Sequence, residues 1–235
     1  MVYFLDTAKD ARILVLEDAL RRLQNIFSKR LLRFQVDYKR LLELYDQAKE
    51  AYYGIKYSYH EPEEIKSSQS LEALVSAIRQ FEDIYRTAVE ERAFKPENTS
   101  QKRLIAETEY AFRTIFGFRN RLRYPSDPAF AIDILCVEIT KISRVEESDT
   151  LTACRCSDGG RIWEVLTNIV SMDSGLKMAI GVLPPTELMN RVSEAMFLHK
   201  SPFSEDTPLG RLENPPDEVL DQARAQVLNI TKKVK

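Results

Sequence analysis

Apolar positions in the first half of the chain recur at helical spacing. From Ile13 a stripe runs through Leu16, Leu20, Leu23, Phe27, Leu31, Phe34, Tyr38, Leu41, Tyr45, Ala48 and Tyr52, always in steps of three or four. That spacing places every member on one side of a helix. Neither Gly nor Pro interrupts Val2 to Tyr53, so the pattern predicts one continuous helix of about 45 residues, roughly 65–70 Å long. A hairpin turn near Phe27–Lys29, giving four similar helices in a bundle, is the alternative. Two shorter stripes follow: Leu71, Leu74, Ile78, Phe81, Tyr85, Ala88, and then Leu104, Thr108, Ala111, Ile115, Phe118, Leu122. Breakers separate them at "YHEPEE", "KPENTS" and "YPSDP", with Asn98 or Thr99 as an N-cap. Two short helices leave part of a long one uncovered, which predicts coiled-coil-like pairing with a second copy, a homodimer.

After Pro128 the pattern changes. Five of the seven glycines and eight of the ten prolines lie from Pro125 onward. Short segments rich in β-branched residues alternate with turns: "IDILCVEITKISRV", "TLTACRCSD", "RIWEVLTNIV", "LKMAIGVL" and "VSEAMFL", separated by "EESD", "DGG" and "SMDSG". Five short strands with tight turns predict a small antiparallel barrel. The tail restarts as helix after Pro216, with Val219, Ala223, Val227 and Ile230 on its apolar side. The fold class is therefore α+β in two domains, helical over residues 1–128 and a five-stranded barrel with a terminal helix over 129–235.

Composition narrows the picture. At 235 residues, 44% hydrophobic and 30% charged, the chain has the make-up of a globular protein. No apolar run is long enough for a membrane span, and acids interrupt the start, so neither membrane nor signal peptide is expected. Three cysteines do not form a disulfide framework, and a reducing, cytoplasmic setting follows. The formal net charge is −2. Residues before Phe130 carry 22 Lys+Arg against 20 Asp+Glu, leaving 12 against 16 from there on, a balance of −4. A polyanion could therefore be held only by a local patch.

Four segments in order resemble the tRNA-binding OB-fold domain family, found appended to methionyl- and phenylalanyl-tRNA synthetases and as stand-alone tRNA-binding proteins. They are "DTLTACRCSDG", "WEVLTNI", "SGLKMAIGVLPP" and "VSEAMFL", and the resemblance covers about residues 132–212. It implies that Pro184-Pro185 closes a strand, that Thr186–Asn190 crosses a barrel end, and that Val192–Leu198 re-enters the wall. It also implies RNA contacts at Ser193, Glu194 and Met196: a hydroxyl suits phosphate or 2′-OH, and a methionine can lie against a base. Lys141, Arg144, Arg155, Arg161, Lys177 and Arg191 are the cations expected along the groove. The chain departs from the family at Ala195, where the family has glycine, and at Val145 and Glu146, where it often has His-Pro.

"FRTIFGFRNRLRYP" interleaves Arg119, Arg121 and Arg123 with aromatics just upstream of the barrel. It reads either as an RNA-contacting patch or as an amphipathic helix end whose arginines complement the helix dipole. Cys136, Cys154 and Cys156 lack histidine partners at zinc spacing and read as buried thiols. His60 and His199 have no nucleophile or carboxylate pair at a recognisable spacing. No metal, cofactor or catalytic constellation is expected. The expectation is a non-enzymatic protein that binds tRNA or other structured RNA, or else a protein-docking module whose OB-fold lacks RNA affinity.

Overall fold

A computed structural model describes residues 6–32, 35–91, 94–146, 148–170 and 172–234. The first stripe is two helices rather than one: α1 (Ala11–Ser28) and α2 (Tyr38–Lys56). Helix α1 ends in a Schellman arrangement, in which Leu31 N–H donates to Ile26 C=O and Arg30 N–H to Phe27 C=O. The residue at the left-handed position is Arg30, φ 50°, where glycine is usual. The Arg30 guanidinium lies 5.0 Å from the Tyr38 ring centre. Asp37 then caps α2 by accepting from Arg40 N–H at 3.0 Å. The expected continuous helix is thus replaced by the hairpin, with its turn a few residues later. Phe34 of the stripe lies outside the described residues.

Helices α3 (Pro62–Lys66), α4 (Gln69–Glu91), α5 (Thr99–Phe116) and the one-turn α6 (Phe118–Arg121) complete the helical region. Asn98 is the N-cap of α5. Helix α2 packs on α4, and α1 packs on α2 and α5. Phe27, Phe81, Tyr85 and Phe112 meet at its centre, the Phe27 and Phe81 rings edge to face at 4.8 Å. Every member of the second and third stripes is buried in the same chain. Of the first stripe, Ile13, Leu16, Leu20, Leu23, Phe27, Leu41, Tyr45, Ala48 and Tyr52 are buried as well, whereas Leu31 is exposed.

The C-terminal region is an antiparallel sheet of β1 (Ile134–Arg144), β2 (Thr152–Ser157), β3 (Ile162–Thr167), β4 (Lys177–Leu188), β5 (Arg191–Phe197) and β6 (Gly210–Arg211), followed by α7 (Asp217–Thr231). The strand order is β3-β2-β1-β4-β5, with the short β6 beside the start of β1. All five expected strands are present and β6 is additional. Among the described residues no backbone ladder joins β3 to β5, so the ladder is open at that point. The two strands nevertheless lie side by side, because Leu166 N–H donates to Ser193 Oγ at 3.0 Å.

Pro184 and Pro185 do not end their strand. They lie inside β4, where the register shifts between Val182↔Ala195 and Thr186↔Ser193. Three β4 residues there oppose Glu194 alone. Proline cannot donate to a ladder, and a bulge is a position inside a sheet that needs no donor. The reversal follows at Met189-Asn190, φ 46° and 55°, a two-residue hairpin turn rather than a crossing segment. Ala195 has no positive φ and sits buried in the sheet core, so it strains nothing where glycine was expected.

The two regions share a packed junction. Val15 of α1 sits in one cluster with Ala129, Ile132, Ala179 and Leu198, and with Val219, Ala223 and Val227 of α7. Asp133 accepts from Arg121 at 2.9 Å and from Arg211. Asp10 holds the buried Arg12, whose Nη1 donates to Tyr124 C=O at 2.9 Å.

Candidate nucleic-acid interface

The outer face of the sheet brings three of the expected cations to one place. Strand alternation turns Cys154 and Cys156 inward and Arg155 outward. The register sets Arg155 opposite Lys141 on β1 and opposite Glu164 on β3. Arg155 Nε lies 3.2 Å from Glu164 Oε1, with both side chains about half exposed. Arg191, at the start of β5, acts on the same carboxylate. Burial raises the Glu164 carboxyl above its usual range even though Arg155, Arg191 and Lys141 pull the other way. Beside it is a cleft of about 550 Å³, lined by Glu164, Arg191, Met189 and Asn190 of the sheet, by Glu146, and by Thr99 and Lys102 at the start of α5. Helix α5 is fixed against this hairpin: Thr99 Oγ1 donates to Asn190 C=O at 3.1 Å and Ser100 Oγ to Glu187 at 3.1 Å. Arg144 and Glu146 continue the surface into a neighbouring cleft, lined also by Ser148, Asp149, Thr150 and Leu151.

The remaining expected residues have other work. Arg161 pairs with Glu194 and lies 4.4 Å from the Trp163 ring centre, with Arg113 of α5 at 4.7 Å from the same ring. Lys177 is spent on the Glu205 and Thr207 carbonyls. Ser193 Oγ, besides accepting from Leu166, donates to Ala195 C=O at 3.0 Å, so its hydroxyl joins β5 to β3. Glu194 accepts from the Glu164 backbone N–H, and burial raises its carboxyl. Met196 packs half-buried against the cluster under α7.

The Arg119–Arg123 cluster does not form a solvated basic patch. Arg121 is buried and serves the junction through Asp133 and Thr114 C=O. Arg119 pairs with Glu72 on α4. Arg123 is exposed and the paired Arg119 side chain is partly so. The aromatics confirm an inward role, with Phe118 buried and Tyr124 stacked on Phe130.

The cysteines are buried and unbridged. Burial pushes the Cys154 thiol up to about 11 and Cys156 up to about 12, far from the thiolate form that binds metal or attacks carbon. Among the described residues no group of three or more His, Cys, Asp or Glu is placed to hold a metal ion. His199 bonds to Glu218 of α7 and to Ser201 C=O at 3.1 Å, on the rim of a separate cleft of about 680 Å³. Among the described residues no helix is long and apolar enough to cross a membrane.

Sequence reasoning missed Lys102, Glu146, Glu164 and the Met189-Asn190 tip. Alternation along β3 carries a signal for Glu164, since it faces outward between buried Trp163 and Val165. Lys102 carries none, because only tertiary packing brings α5 to the hairpin.

Comparison with known proteins reaches only the helical region. No curated protein matches the chain. Residues 4–124 match the family described as alpha helical domain, a span covering just over half of the sequence and ending inside the junction near Tyr124. By that match the chain belongs to the alpha helical domain family.

Proposed function

We propose that the protein is a non-catalytic, cytoplasmic RNA-binding protein that takes tRNA or another structured RNA on the outer face of its sheet. The observation that carries this reading is the convergence of Lys141, Arg155 and Arg191 around one position beside the α5–hairpin cleft. Phosphate contacts supply most of the affinity of such complexes, and three cations within reach of one another suit a bent backbone. In this reading the sheet is an OB-fold barrel. Support comes from the order β3-β2-β1-β4-β5 with β3 against β5, bridged by Ser193 and Glu194. The hairpin tip and the residues Ser148 to Leu151 then border the groove, as loops do in OB-folds that bind oligonucleotides.

The test is a gel shift with total tRNA at two salt concentrations, repeated with Arg155→Glu/Arg191→Glu. Binding that weakens steeply with salt and is lost in the double variant supports the reading. Absence of binding at low salt sinks it. One observation favours a second reading, a protein-docking surface: Glu164 and Glu146 sit among the cations. A partner recovered by pull-down and displaced by the same double variant, with no tRNA shift, selects that reading instead.

A further inference from the structure

The carboxylate at the centre of the cation ring has no structural task that demands it. Glu164 is about half exposed on the outer face of β3, a position where a β-branched residue would serve the strand as well. Its backbone N–H already anchors it to Glu194, and the charge of Glu194 is met by Arg161. The side chain instead lies 3.2 Å from Arg155, opposed by Lys141 and Arg191. A carboxylate in that position occupies the electrostatic seat of a phosphate.

We propose that Glu164 is a built-in competitor for the RNA backbone, lowering the affinity of the face for isolated anions so that only a polyanion engaging several cations at once displaces it. The inference rests on the RNA reading of the same face. A single phosphate gains one contact and must disrupt the Arg155–Glu164 pair to make it. A strand that also reaches Lys141, Arg191 and Lys102 gains several contacts against the same loss. Protonation of Glu164 removes the competitor. Burial holds this carboxyl above the usual range, so protonation comes at a higher pH than for an exposed glutamate. The charged groups facing it are Lys141, Arg155 and Arg191 from β1, β2 and β5, Glu194 from β5, and Lys102 and Glu146 across the cleft.

The experiment measures anisotropy of a labelled tRNA with the wild-type chain, Glu164→Gln, and Glu90→Gln, which makes the same charge change on the exposed side of α4. A parallel series uses inorganic phosphate as competitor. Removing one like charge a few ångströms from a bound phosphate predicts binding about fivefold tighter in Glu164→Gln at moderate salt. Glu90→Gln should match wild type, and phosphate should compete better in Glu164→Gln. As pH falls, wild type should tighten more than Glu164→Gln until the two converge, a difference that separates Glu164 from Glu146 and Glu194. Wild-type binding unchanged by Glu164→Gln, or tightened equally by Glu90→Gln, overturns the competitor role while leaving the RNA reading intact. No binding by any of the three overturns the RNA reading and the competitor with it. Binding by Glu164→Gln alone supports the competitor in its strongest form.

Discussion

Two clusters of the same chemistry, a carboxylate between cations, sit in different parts of the molecule. At the junction, Asp133 lies between Arg121 and Arg211 with only 11% of its side chain exposed. On the outer sheet face, Glu164 lies among Arg155, Arg191 and Lys141 with 44% exposed. Burial alone would raise the Asp133 carboxyl, but Arg121 and Arg211 outweigh it and hold it below the usual range. At Glu164 burial wins and the carboxyl moves up. The difference lies in geometry. Two guanidiniums bond directly to Asp133, whereas one contact at 3.2 Å and two more distant charges serve Glu164. The first arrangement fixes two pieces of structure together, while the second leaves cation charge available to an incoming ligand.

The comparison breaks most sharply at Asp133. Asp133→Asn leaves the buried Arg121 without its counter-charge and frees the partly exposed Arg211, and should cost about 3–5 kcal/mol, read as a lower urea midpoint. Arg155→Glu/Arg191→Glu should leave that midpoint nearly unchanged. The same variant should weaken tRNA binding more than tenfold and flatten the salt slope by about two. The pH dependence should also divide. Asp133, Asp10 and Glu17 have carboxyls held below their usual values by Arg and Lys partners that outweigh burial. Their contribution is full above the unfolded range near pH 4 and is lost as pH falls through the lower folded values. Glu164 and Glu194 are raised by burial and have the opposite sign, so their contribution improves as pH falls from their folded values toward that range. Thermal melts from pH 7 to 2 should therefore show loss only at the acid end, and Asp133→Asn should shrink that loss. The smallest effect is expected for Glu164→Gln, whose stability should remain within about 0.5 kcal/mol of wild type in urea.

Helical spacing in the sequence picked out buried positions along α2, α4 and α5, though not Leu44 and Ile55 of α2 or Tyr110 and Phe112 of α5, and β-branched runs located the five main strands. What escaped it was local chemistry that breaks the usual associations. Arg30 occupies a helix stop where glycine is the familiar signal, so α1 and α2 read as one. Pro184-Pro185 reads as a terminator because proline lacks a donor, yet a bulge inside β4 has no use for one. At the site, strand alternation sends Arg155 outward between Cys154 and Cys156. Lys141, in contrast, shares the parity of the buried Val137 and Ile139 and reaches the outer face only through the irregularity in β1 between Ile139 and Lys141. The roles of Arg121 and Lys177 were not legible, because a cation is claimed by the carboxylate or carbonyl that folding brings to it. For Arg121 that partner is 12 residues away, and for Lys177 the Glu205 and Thr207 carbonyls are 28 and 30 away. The Ser193 hydroxyl, suited to an RNA phosphate by type, is consumed where two strand edges meet.

Helix α1 has consequences for the order in which the chain becomes structured. One side of it packs on α2 and α5, and Val15 on another side rests against α7, some 200 residues downstream. During synthesis the helical region can close on its own centre, but the Val15 face must wait in contact with solvent until α7 emerges. A chain halted before α7 presents that apolar strip, together with the inner faces of Ile132 and Leu198, to any chaperone or sticky neighbour. Arrival of α7 is thus the event that covers Val15 and closes the junction around α1.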